Sequence, residues 1–170
     1  LLQHNREVVA RLLADASAPN WENFVLPLDD ANEQVARAWG QVSHLNAVMN
    51  SDELRLAYNA NLPLITQYYA ELGQNLALYA KYKVLRASRE FAALVPARQK
   101  IIENELRDFR LSGAELAEDK KTRFLEIQEE MSALGSRFSD NLLDATNAFS
   151  LLIGDEKELS GIPADDLQAA

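Results

Sequence analysis

Between positions 118 and 150 apolar side chains recur at Phe124, Ile127, Met131, Leu134, Phe138, Leu142, Ala145 and Phe149. Steps of three and four return each of them to one face of an α-helix. No proline interrupts the run, so the spacing predicts a single long amphipathic helix near 117–150. Gly135 is its weak point, costing roughly 1 kcal/mol relative to alanine. Such a helix does not hold itself. Burying the stripe contributes about 1.5–3 kcal/mol per large side chain, against about 1–2 kcal/mol of backbone ordering for every residue. The stripe therefore requires other helices, and Phe138, at its middle, is expected in the core they form.

The preceding sequence supplies them. Val8, Val9, Leu12 and Leu13 mark a first helix to about Ala16, which Ser17-Ala18-Pro19-Asn20 stops. A second restarts after Pro27 and carries Val35, Ala38, Trp39, Val42, Leu45 and Val48 to near Met49. Asn50 with Glu53 three residues on has the form of a capping box, opening a third helix through Leu54, Tyr58, Leu62, Ile65, Tyr68, Tyr69 and Leu72, with Pro63 inside it. A fourth follows Gly73, from Leu76 to Leu85. Phe91 to Val95 reads as a connector. After Pro96 a fifth helix holds Ile101, Ile102, Leu106 and Phe109 and ends at Ser112-Gly113, glycine being favoured just past a helix terminus. Strand patterns are missing. The expected fold is all-α, a bundle of about six roughly antiparallel helices in one domain spanning 1–170.

Composition narrows the function. A formal charge of −9 lacks the Lys and Arg clusters that bind phosphate backbones, so nucleic acid is not an expected partner. No apolar run approaches the length of a membrane span, and with no cysteine the chain has neither a disulfide framework nor a thiolate nucleophile. A cytoplasmic protein is the expectation. The chain opens at Leu1 without an initiator Met, already in an amphipathic pattern, and closes just after Pro163, a first-turn residue of a helix barely begun. It reads as a segment of something longer.

Candidate chemistry is sparse. The two histidines, His4 and His44, stand far apart in sequence, and neither belongs to an H-E-x-x-H pair that would clasp zinc. Asp29-Asp30 and Asp165-Asp166 suit the positive ends of helices better than a cation. Gly-x-Ser-x-Gly and glycine-rich phosphate loops are absent. Tyr58, Tyr68, Tyr69, Tyr79 and Tyr82 either rim a helical core or line a groove for an extended peptide. The charged run Glu115, Glu118, Asp119, Lys120, Lys121 and Arg123 reads as the solvated opening of the long helix. No catalytic, cofactor-binding or metal-ligating residue is expected within 1–170.

Several stretches taken together nevertheless resemble one family. They are Trp21-Glu22-Asn23-Phe24 with Pro27-Leu28, the run from Val42 to Val48 with Asn50-Ser51 and Glu53-Leu54-Arg55, and Leu106-Arg107-Asp108-Phe109-Arg110-Leu111-Ser112-Gly113. Leu134-Gly135-Ser136-Arg137-Phe138-Ser139 and Asn141-Leu142-Leu143-Asp144-Ala145-Thr146 extend the likeness. In this order they resemble the amino-terminal helical region of the thimet-oligopeptidase family of zinc metallopeptidases. The resemblance implies a zinc endopeptidase that cleaves short peptides in a channel between two mostly helical lobes. Its zinc ligands and general base lie in an H-E-x-x-H helix and a downstream Glu, none of which maps here. Zinc is thus expected in the full-length protein and not in this segment, whose partners would be short peptides and the remainder of its own chain. The competing reading is a stand-alone helical module that binds a partner helix or peptide in a groove.

Overall fold

The computed structural model describes residues 1–169, and within them every regular element is helical. The helices are α1 (Leu2–Ala14), α2 (Leu26–Val48), α3 (Asp52–Gly73), α4 (Leu76–Arg86), α5 (Arg89–Ala93), α6 (Pro96–Leu111), α7 (Glu118–Ala148) and α8 (Ala164–Ala169). A π-helical turn, Trp21–Val25, leads directly into α2, and a 3-10 turn spans Glu156–Leu159. The fold is all-α with one long helix, as the periodicity predicts. Its backbone contacts group into two compact units, Leu1–Arg137 and Phe138–Ala170, the boundary falling within α7.

Polar side chains fix where the helices of the first unit begin. Asn20 Oδ1 accepts from the Asn23 backbone N–H at 2.8 Å, and Asn23 Oδ1 accepts from the Asn20 N–H at 2.8 Å. This reciprocal box closes the start of the π-helical turn, where the sequence shows only a lead into Pro27. The box expected at Asn50 and Glu53 does not cap α3. Ser51, one residue later, has the extended backbone of a cap, and its Oγ accepts from the Leu54 N–H at 3.2 Å. Asn50 instead donates to the Asn46 carbonyl at 2.8 Å and accepts from Arg55 Nε at 3.0 Å. Ser88 accepts from the Phe91 N–H, so the expected connector after it winds into the short α5. Gly113, at φ +87°, ends α6 in the left-handed region that favours glycine.

Paired contacts give the helix directions. Asn32 of α2 meets Tyr68 of α3 while Trp39 stacks on Tyr58 at 4.8 Å, so the two helices run antiparallel. Arg86 with Glu103, and Tyr79 with Phe109, set α4 against α6 in the same way. The core gathers Phe24 and Val25 from the π-helical turn, Leu28 from the start of α2, Leu78, Tyr82 and Leu85 from α4, and Ile102 and Phe109 from α6. One buried polar group ties α1 to it. Asn5 Nδ2 donates to the Ala31 carbonyl at 2.8 Å and to the Tyr68 hydroxyl at 3.1 Å, and that hydroxyl donates to Asn32 Oδ1 at 2.6 Å.

The expectation for α7 is overturned in one respect. No described side chain of α7 is buried, and Phe138, expected in the core, is 69% exposed. Within the first unit the half-buried positions of α7 are Lys121, Phe124, Leu125, Gln128, Ser132 and Ser136, a row turned away from Ile127, Met131 and Leu134. Ser132 Oγ lies 3.0 Å from Thr66 Oγ1, and Ser136 donates to Asn59 Oδ1 at 2.9 Å. Since α3 meets α7 with polar groups, the hydroxyl-bearing side of α7 faces it. The helical period is as expected, but beyond Phe124 the side that packs is not the apolar stripe.

Three substitutions test the packing of the first unit. A Cβ on Gly73 would meet Ser112 Cβ at 2.5 Å, so Gly73→Ala is expected to destabilise the first unit by about 1–3 kcal/mol in chemical denaturation. Asn5→Ala and Tyr68→Phe are each expected to cost about 1–3 kcal/mol. Together they should cost less than their sum, because each already breaks the same hydrogen bond; strict additivity would show that the two side chains are not coupled.

Candidate functional site

A cleft of about 610 Å³ opens in the first unit. Leu28, Leu72, Leu78 and Phe109 form an apolar side, and Asp29, Glu33, Glu105 and Asp108 bring four carboxyls to the rest. Each arrives by helical geometry. Asp29 sits in the first turn of α2 with Glu33 one turn on, while Glu105 and Asp108 are three apart on α6 and so share a face. Tyr69, near the end of α3, adds a half-wet ring to the wall.

The electrostatics are those of acids crowded out of water. Burial, with the charges of Asp29 and Asp108 added, raises the Glu105 carboxyl to about 7. Burial also raises Asp29, with Asp30 contributing. Behind them Tyr82 is fully buried, 0% exposed, and its hydroxyl has no hydrogen-bond partner among the described residues. Burial first, then the charges of Glu105 and Asp29, lifts that phenol well above its usual range. A carboxyl titrating near neutrality holds a proton readily and ionises when a cation approaches. The wall includes Ser112 but no histidine to take its proton, so the arrangement has no nucleophile-and-base pair of the serine-hydrolase kind.

The residues singled out in the sequence are scattered. His4 and His44 are exposed, on α1 and α2. Among the described residues no group of three or more His, Cys, Asp or Glu is placed to hold a metal ion, so they do not fit a zinc site. Asp165 and Asp166 occupy the first turn of α8, and Asp29 alone of the acidic pairs joins the cleft. The five tyrosines do not line one groove. Tyr68, Tyr79 and Tyr82 are buried, Tyr58 stacks on Trp39, and Tyr69 reaches the cleft. Two of their hydroxyls hydrogen-bond within the fold: Tyr68 donates to Asn32, and Tyr79 donates at 2.9 Å to Glu115, which stays exposed in the charged run before α7. Glu105 went unmarked in the sequence, since nothing local pairs it with Asp29.

Comparison with known proteins places this helical block. The model of the Neurolysin/Thimet oligopeptidase, N-terminal domain, matches residues 1–121. The chain belongs to this family. Among oligopeptidase relatives, the oligopeptidase A of Haemophilus influenzae is 48% identical over 170 residues, all of this chain and 25% of that protein. The oligopeptidase A of Escherichia coli is 43% identical over 165 residues, 97% of this chain and 24% of that protein. A dipeptidyl carboxypeptidase of Salmonella typhimurium is more distant, 24% identical over 172 residues, 99% of this chain and 25% of that protein. The chain spans about a quarter of the length of these curated relatives. No described helix of this oligopeptidase-family chain is long and apolar enough to cross a membrane.

The raised Glu105 carboxyl makes a stability prediction with a definite sign. Between its ordinary 4.5 and about 7 the folded state binds a proton that the unfolded state has released. Folding stability from this group is therefore full below 4.5 and is lost as pH rises through 7. Glu105→Gln is expected to remove that loss, making the variant more stable than the parent above pH 7 by about 2 kcal/mol, with the advantage vanishing towards pH 4.5. Denaturation midpoints across pH 4–9 check this; a difference independent of pH would contradict it.

Proposed function

We propose that this chain is the amino-terminal helical part of a longer zinc metalloendopeptidase of the oligopeptidase A kind, which degrades short peptides in the cytoplasm. In this reading the segment carries no catalytic residue and binds no metal. It forms a wall of the channel that admits peptides, and zinc is held by residues of the same protein outside 1–170. Short peptides and the remainder of its own chain are its partners; nucleic acid and membranes are not. The observation that carries the proposal is the match to oligopeptidases A along the whole segment, at a quarter of their length. The physical picture agrees with it. Interlocked caps, the Asn5–Tyr68–Asn32 network and a packed aromatic core make a stiff support, and stiffness is what a channel wall contributes to selecting narrow, flexible substrates.

The proposal separates from the stand-alone interaction module at the level of the gene and of activity. Beyond Ala170 the encoding sequence is expected to contain an H-E-x-x-H motif. The full-length protein is expected to hydrolyse a quenched short peptide, to lose that activity to a chelator and to regain it with zinc. Chain 1–170 incubated with zinc and the same peptide is expected to show no turnover. Chelator-sensitive hydrolysis by 1–170 alone, or a stop codon directly after Ala170, would overturn the proposal.

A further inference from the structure

The second compact unit, Phe138–Ala170, has a composition at odds with its surface. Phe138, Leu142, Phe149, Leu151, Leu152 and Ile162 are all exposed, Leu152 to 97%, and no described side chain from 138 onward is buried. A unit of this size is below the roughly 40 residues at which a chain builds an adequate core unaided. An apolar surface of this density is an interface in want of its other half.

We infer that these side chains are covered in the full-length protein by the part of the same chain that follows residue 170, so that 138–170 packs as the opening of the next structural portion. The inference deepens the proposed function and rests on its reading of the chain as part of a longer peptidase. Three observations select this occupant. The amino-terminal family model stops at residue 121, whereas identity to oligopeptidase A continues through 170, so 138–170 lies past the matched domain yet remains within the shared protein. Those relatives have about three further quarters of chain to supply a covering surface. Charge disfavours a second copy: 138–170 contains seven carboxylates and one lysine, and two such surfaces repel across a shared interface. The same charge opposes docking on an anionic lipid surface. The fitting partner is an apolar surface with a basic rim, tethered and hence present at high effective concentration.

Hydroxyl-radical footprinting of the full-length protein, read by mass spectrometry, tests this. Phe149, Leu151 and Leu152 are expected to be labelled about tenfold more slowly than the same residues in the denatured protein. Protection should persist on dilution and be the same with or without peptide substrate. Labelling at the denatured rate would overturn the inference, as would protection that fades on dilution, which denotes a second copy, or protection that needs added peptide. As an independent check, Leu152→Ser is expected to lower the thermal midpoint of the full-length protein and to raise labelling at Leu151; a midpoint and labelling pattern both unchanged would contradict it. The two proposals fail separately. Zinc-dependent hydrolysis with Leu152 labelled at the denatured rate sinks only this inference, whereas the absence of zinc-dependent hydrolysis sinks the proposed function.

Discussion

The Tyr82 ring sits 4.9 Å from Phe24 and 5.6 Å from Phe109, centroid to centroid, and so joins the π-helical turn, α4 and α6 in one buried cluster. Edge and tilted contacts of this kind add to the area the rings bury, and they also fix orientation. The start of α2 and the roll of α6 are positioned from this junction. Phe24 sets where α2 starts, and hence where Asp29 stands; Phe109 sets the roll of α6, and hence the direction of Glu105 and Asp108. The acidic cleft is a consequence of that packing, and the raised Glu105 carboxyl is its electrostatic expression. The phenol at its centre, without a hydrogen-bond partner among the described residues, costs stability that the packing of its ring opposes.

Periodicity made the helices legible and left their facing ambiguous. The run from Phe124 to Phe149 states that one side of α7 needs an apolar neighbour, but a repeat does not say whether that neighbour lies within 1–170. Ser132 and Ser136 held the missing information: two hydroxyls one turn apart match Thr66 and Asn59 on α3 and allow close approach. Local chemistry was similarly half legible. Asn50 and Glu53 have the right spacing for a cap, yet Ser51 takes the role because its backbone is the extended one. Asn20 and Asn23, which do form the reciprocal box, depart from the Ser/Thr–Glu pattern that identifies such boxes in sequence. The cleft was illegible for a simpler reason. Asp29 and Glu105 are brought together by tertiary packing, and no short-range pattern encodes that.

The two units differ in how their apolar residues are satisfied. In the first, the large side chains of α1, α4 and α6 meet one another, and the buried Asn5 is hydrogen-bonded to α2 and α3. In the second, the large apolar side chains face outward. A family match that spans a quarter of the relatives' length gives that difference a physical sense: the first unit completes its own core, and the second has the surface of an interface.

The proposed function has residues 1–170 shape and support while metal chemistry is carried elsewhere in the protein. Its most direct test is zinc binding by calorimetry to the full-length protein carrying His4→Ala and His44→Ala together, the only histidines in the segment. Zinc affinity and stoichiometry identical to the parent protein are predicted. A weakened or lost zinc site would contradict the claim.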